Sequence, residues 1–196
     1  MQDATNQMTP GKTEDGGTLE EFHPVARKPS NSKRLEKISE RPKSRSSVEK
    51  ELHVLIVEDN LINQKVLSQQ LKRAGCTVHV ANHGVECLEF LDRSSFCSAE
   101  EPTALSVVLL DLEMPTMDGL TCIRRIRERQ SSGTIHGHVP VIAVTANARP
   151  EQIASAIEAG MDQVVTKPFR IPELVPQMEA LVAEVAATAD IDVNGS

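Results

Sequence analysis

At 196 residues, with 39% apolar and 25% charged side chains, the chain is long enough for one buried core with tails. An aromatic content of 2%, with no Trp and no Tyr, leaves base stacking to Phe, His and Arg, and a net charge of −7 opposes broad binding to nucleic acid or anionic membrane. Cys76, Cys87, Cys97 and Cys122 form no CxxC pair, and Met1 to Pro10 lacks the apolar stretch of a signal peptide. Together these features predict a soluble, cytoplasmic protein with reduced thiols and no membrane contact.

Residues 1–51 hold few aliphatic side chains among many Pro, Ser, Gly, Lys and Glu. So little apolar surface does not offset the entropy of ordering, and the segment reads as a disordered linker. Within it, Arg27 to Lys50 carries nine Lys/Arg against three Glu, a basic stretch read as solvated linker rather than as a nucleic-acid arm. Residues 188–196 read as a polar tail, which leaves 52–187 for the domain.

Inside those bounds the pattern alternates. His53 to Val57 is a short apolar strand, followed by Ile62, Val66, Leu67, Leu71 and Ala74 at helical spacing with Gly75 as a stop. Thr77 to Val80 gives a second strand, and Val85, Leu88 and Leu91 a second helix. After a polar stretch from Arg93 to Thr103, the mostly apolar run Leu105 to Leu110 reads as a strand covered on both faces. Leu120, Ile123 and Ile126 mark a third helix, with Arg124, Arg125, Arg127 and Arg129 expected on its wet side. Val141 to Val144, Pro150 to Ala159 with Gly160 as stop, and Val164-Val165 complete a fourth strand, fourth helix and fifth strand. Leu174, Met178, Leu181 and Val185 mark the last helix, in which Pro176 is either the start or a kink. Five strands alternating with five helices predict an α/β fold, a doubly wound five-stranded parallel sheet with helices on both faces.

Polar sites of such sheets collect beyond the carboxyl ends of the strands. Here the ends are Glu58-Asp59, Asp111, Thr145-Ala146 and Thr166-Lys167-Pro168. Three carboxylates gathered at one edge call for a hard cation, and Mg²⁺ suits oxygen ligands of this kind. The hydroxyl and the ammonium then suit the oxygens of a phosphoryl group, and an ionised carboxylate beside the metal is a competent nucleophile toward phosphorus.

The runs Val54 to Asn60, Asp111 to Gly119, Val141 to Ala146 and Thr166 to Phe169 resemble the receiver domain of two-component response regulators over about 53 to 186. The stretch Asn60 to Gln64 and the Met-Asp-Gly turn resemble receivers of hybrid histidine kinases. The resemblance implies a flavodoxin-like receiver fold and Asp111 as phosphoacceptor. It implies Glu58, Asp59, Asp111 and the backbone carbonyl of Glu113 as the Mg²⁺ site, with Thr145 and Lys167 on the phosphoryl oxygens and Ala146 keeping the acceptor reachable. The donor would be a histidine kinase or a histidine-phosphotransfer protein, in a phosphorelay where the acceptor also loses its phosphate to water. No kinase or output segment is expected beside it, as for a lone receiver or a piece of a hybrid kinase.

Two rival readings stand beside this one. A receiver-like interaction module would never be phosphorylated. A phosphoaspartate-forming phosphatase needs a second Asp where Glu113 stands and a nucleophile on the first strand. Val164 occupies a position that usually carries Tyr or Phe, so coupling through a swinging ring is not expected. His53, His79, His83, His136 and His138 lack ligand spacing and read as structural or solvated.

Overall fold

The computed structural model of the protein describes residues 51–194 apart from residue 98. The linker reading of 1–51 and its basic stretch therefore lie, except for Glu51, outside the described residues. Ten elements alternate in chain order: β1 (His53–Val57), α1 (Leu61–Arg73), β2 (Thr77–Ala81), α2 (Gly84–Asp92), β3 (Val107–Asp111), α3 (Gly119–Ser131), β4 (Val141–Thr145), α4 (Pro150–Glu158), β5 (Gln163–Thr166) and α5 (Ile171–Asn194). The strands form one parallel sheet in the order β2-β1-β3-β4-β5.

The order follows from burial. Strands β3 and β4 are buried along their whole length, as is β1 beyond His53, and their side chains alternate between two apolar layers. Leu55, Val57, Val108, Leu110, Val141 and Ala143 meet Leu88 and Leu91 of α2 and Ile123 and Ile126 of α3. Val54, Ile56, Val107, Leu109, Ile142 and Val144 meet Leu71 of α1 and Leu174, Met178 and Leu181 of α5. Helices on both faces leave the strand ends as the place where polar groups meet.

Local signals set the boundaries. The Asn60 side chain accepts from the N–H groups of Ile62 and Asn63 and opens α1. At its far end Gly75 has φ +91°, with Cys76 N–H bonded to Leu71 O and Gly75 N–H to Lys72 O, a Schellman stop. The expected run from Leu105 becomes a strand only at Val107. Ser106 stands ahead of it as a bridge to β1, its hydroxyl accepting from His53 N–H at 3.1 Å.

Three expectations need correction. Ile62 and Val66 do not share the buried stripe of α1 with Leu71; they are 75% and 49% exposed. Helix α5 starts at Ile171, so Pro176 is not its start but an interior residue of a helix that runs past Thr188 to Asn194. Arg127 leaves the wet side of α3 to bind Asp162 at 3.0 Å, Gly160 O at 2.8 Å and Val139 O at 2.9 Å.

Asp162 ties the amino-terminal edge of the sheet together: one oxygen also accepts from Val141 N–H at 2.7 Å, and the other meets His138 Nε2 at 2.6 Å. Burial pushes its carboxyl pKa up, but the hydrogen bonds from His138 and Val141 and the Arg127 charge outweigh that and hold it below the ordinary value. A depressed folded pKa adds stability that is full above the unfolded value and lost as pH falls through the folded one. We expect Asp162→Ala to cost about 2–3 kcal/mol at neutral pH, the worth of charge-assisted bonds. Its stability should also fall less steeply than the wild type's between roughly pH 5 and 2. Denaturant titrations across that window check both, and equal slopes in the two proteins would refute the assignment.

Candidate phosphoacceptor site

Parallel register brings the sequence-predicted residues to one edge. Glu58 follows β1, Asp111 ends β3 beside Val144, and Thr145 ends β4 beside Thr166, whose neighbour Lys167 donates its N–H to Thr145 O at 2.8 Å. Glu58 and Asp111 are only 5% and 8% exposed. Two carboxylates at that depth need a partner, and Lys167 Nζ supplies it, 2.7 Å from Glu58 Oε2 and 2.6 Å from Asp111 Oδ2. Burial works against the ammonium, but its bonds to Asp111 and Glu58 and their charges prevail and raise its pKa above the ordinary lysine value. It is therefore charged throughout the neutral range.

The second oxygen of each carboxylate is also engaged. Asp111 Oδ1 accepts from Glu113 N–H at 3.0 Å, and Glu58 Oε1 accepts from the Asn63 side-chain amide at 2.9 Å. Asp59 and the Glu113 side chain lie exposed at the same edge. Thr145 is buried, and its hydroxyl is turned to the following loop, where it accepts from Asn147 N–H at 3.0 Å. Ala146 is exposed, while Val164 is half-buried against the α2–α3–α4 layer. The structure thus brings together Glu58, Asp111 and Lys167, and keeps the Asp59 and Thr145 side chains engaged elsewhere or in solvent.

Among the described residues, no three acidic, His or Cys side chains already converge into a metal cage, and the Lys167 ammonium bridges Glu58 and Asp111. The donor chemistry nevertheless fits a hard divalent ion. Glu58 and Asp111 share one ammonium, the exposed Asp59 adds a third carboxylate, all these groups offer oxygen, and the net charge of −2 is the opposite of that of Mg²⁺.

The loop from Leu112 to Asp118 is held tightly beneath this edge. Met117 N–H bonds to Pro115 O at 2.7 Å around Thr116, whose φ of +67° is an unusual conformation for a β-branched residue. Asp118 caps α3 through Thr121 N–H at 2.7 Å. Patterning does not single out Asn63, although its place in the first turn after an Asn60 cap, five residues beyond Glu58, points back at the strand end. Gly119 likewise carries a role that no sequence pattern assigns. A Cβ there would lie 2.3 Å from Asp111 O and 2.9 Å from Leu112 Cα, backbone atoms that cannot swing aside. At Gly84, by contrast, a Cβ would meet the Met117 side chain at 2.6 Å, which can move. We expect Gly119→Ala to destabilise by about 1–3 kcal/mol through overpacking and to shift the amide resonances of Asp111 to Glu113. Gly84→Ala should do less on both counts. An unchanged melting temperature for Gly119→Ala would refute the steric reading.

Comparison with known proteins agrees with this geometry. The family model described as the response regulator receiver domain matches residues 54–179. The peroxide stress-activated histidine kinase mak1 of Schizosaccharomyces pombe is 36% identical over 121 residues, 62% of this chain and 7% of that kinase. The other curated histidine kinases and hybrid signalling proteins it resembles are likewise far longer, and the chain spans 6–12% of them. The receiver domain of sensor histidine kinase PA1611 from Pseudomonas aeruginosa, solved with a magnesium ion coordinated in its active site cleft, superposes with a TM-score of 0.57 at 28% identity, covering 68% of this chain and 98% of that one. The fold is also that of the Ssk1 receiver from Saccharomyces cerevisiae, solved with the histidine phosphotransfer protein Ypd1 (TM-score 0.58, 24% identity, 68% and 90% covered). No helix among the described residues is long and apolar enough to cross a membrane. With more than half of its length matched by the family model and the paired acids and lysine at its strand ends, the chain belongs to the response regulator receiver domain family.

Proposed function

We propose that this chain is a cytoplasmic phosphoacceptor of a histidine-to-aspartate phosphorelay, taking the phosphoryl group on Asp111. The observation that carries the reading is the state of the Asp111 carboxylate, buried at the end of a central strand with its oxygens held by Glu113 N–H and the Lys167 ammonium. A carboxylate fixed in this way is oriented for attack on phosphorus. An oxygen of Asp111 forms a bond to phosphorus as the bond from phosphorus to the histidine nitrogen breaks, and that nitrogen keeps the electron pair.

Glu58, Asp59, Asp111 and the Glu113 carbonyl are the residues that would hold Mg²⁺. When bound, the ion offsets the carboxylates and the phosphoryl oxygens and so lowers the barrier to their approach. Lys167 then turns from Glu58 and Asp111 to a phosphoryl oxygen. Thr145, already buried at the end of β4, exchanges its bond to Asn147 for another of those oxygens. Loss of the phosphate to water runs through the same groups.

The donor would be a histidine kinase or a histidine-phosphotransfer protein. Leu61, Ile62 and Val66 on α1, 68%, 75% and 49% exposed, form the apolar surface beside the acceptor edge on which such a partner would dock. The Ssk1 receiver, which has the same fold, was solved with a partner of that kind. A phosphatase role fits less well, because the residue two beyond Asp111 is the exposed Glu113 and the acceptor ends β3 rather than β1.

Incubation with acetyl phosphate and Mg²⁺ should add one phosphoryl mass at Asp111, and EDTA should prevent it. Asp111→Asn should abolish labelling and Asp59→Asn should lower it by one to two orders of magnitude, roughly the loss seen when a metal site is damaged. Intact-mass spectrometry reads this directly. Full labelling of Asp111→Asn would overturn the reading, and no labelling of the wild type would favour an interaction module that is never phosphorylated.

Val164 is expected to limit how far the signal spreads. Its short, χ1-restricted side chain is half-buried and has no ring to swing inward with Thr145. A ligand shifts only elements whose two states it contacts differently. Amide shift changes on phosphorylation should therefore concentrate near Asp59, Asp111, Thr145 and Lys167 and fade toward Leu174 to Val185. Val164→Tyr should extend them. Equally large changes over α5 in the unmodified protein would show that coupling needs no aromatic.

A further inference from the structure

We propose that Asn63 is a positioning residue for the divalent cation: it fixes the Glu58 carboxylate and, among the described residues, is the side chain left holding it once Lys167 turns to the phosphoryl group. This rests on the phosphoacceptor reading above and adds a residue that the reading does not need.

Glu58 is nearly fully buried and has two side-chain partners, the Asn63 amide on Oε1 at 2.9 Å and Lys167 Nζ on Oε2 at 2.7 Å. The two partners differ in kind. Lys167 is shared with Asp111 and carries charge, so an arriving phosphoryl group draws it away from Glu58. Asn63 is neutral, and toward a carboxylate its amide can only donate, which settles its orientation. Its backbone is anchored too, since its N–H binds the Asn60 cap at 3.2 Å in the first turn of α1. An anion therefore has little pull on Asn63.

The terminal torsion of a glutamate is broad, so a carboxylate that has lost its partners spreads over many orientations. Partners behind a metal ligand restrict that spread and raise affinity. Asn63 also follows Ile62, the most exposed apolar residue of α1. The same helical turn thus carries the docking surface and, beside it, the amide that reaches back to the end of β1.

The test compares the full-length wild type with Asn63→Leu, which keeps the branched shape and removes the donor, and with Asn63→Ala. Mg²⁺ is titrated into unphosphorylated protein and followed by the amide shifts of Glu58 and Asp59. Labelling by acetyl phosphate is then measured at low and at saturating Mg²⁺. The expected result is an Mg²⁺ Kd raised about tenfold in both variants, the lower end of what loss of such a partner brings. Labelling should slow in proportion at low Mg²⁺ and return to the wild-type rate at saturation, a split that a purely structural role would not produce. If the wild type binds Mg²⁺ and is labelled while both variants match it, the role of Asn63 falls alone. Slower labelling at every Mg²⁺ concentration with an unchanged Kd would likewise overturn it. A wild type that neither binds Mg²⁺ nor accepts the group takes down both readings. If the Leu variant misfolds, the Ala variant, at an exposed helical position, carries the comparison.

Discussion

Everything at the functional edge depends on one arrangement: a single ammonium, Lys167 Nζ, shared between the buried carboxylates of Glu58 and Asp111. Two negative groups this close and this shielded cannot both stay ionised without compensation. Lysine does this without closing the site, because it reaches in from the end of an edge strand on a flexible stem, and its own backbone is fixed by a bond to Thr145 O. The arrangement is also unfinished. One positive charge is set against three carboxylates once the exposed Asp59 is counted, which leaves the edge net negative.

The sheet exists to deliver those groups. The covered strands β1, β3 and β4 send alternate side chains to opposite layers, and with both faces full, polar residues have nowhere to go but the ends. The stagger between neighbouring strands then sets which polar residues meet: Asp111 pairs in register with Val144, so Thr145 stands one step beyond it. Gly119 completes the placement, because only a residue without Cβ lets the start of α3 close against the Asp111 backbone.

The same logic explains what patterning reveals and what it hides. Covered strands are runs of Val, Leu and Ile that stop abruptly at an acid or a Thr, so both the strands and the polar edge at their ends are legible in the amino-acid sequence alone. Helix faces are less so. In α1, Ile62 and Val66 repeat at helical spacing just as Leu67 and Leu71 do, and periodicity alone does not say which of two apolar stripes turns inward. Arg127 reads as solvated because arginine usually is, and only partners distant in sequence, Asp162 with the carbonyls of Gly160 and Val139, make a half-buried guanidinium favourable. Asn63 escapes notice for a related reason. An Asn near a helix start reads as a cap, and nothing local shows that its amide faces a carboxylate at the end of the preceding strand. Contacts made across elements are what patterning does not contain.

Charge counting carries the chemistry one step further. With Mg²⁺ in place, the three carboxylates, the lysine and the ion sum to zero. On the proposed transfer, the single charge of Asp111 is replaced by a phosphoryl group carrying about two, so the site gains net negative charge. The charge of Lys167 is already counted in that sum. The excess must be met by neutral donors, and the nearest buried hydroxyl is that of Thr145, now spent on Asn147 N–H. Recruiting it releases Asn147, whose backbone N–H then needs a new partner, and the exposed residues Ala146 and Ala148 beside it offer little resistance to rearrangement. On that proposal the loop after β4 is where an added charge at Asp111 would become a change of shape, whatever lies farther along the fold to receive it.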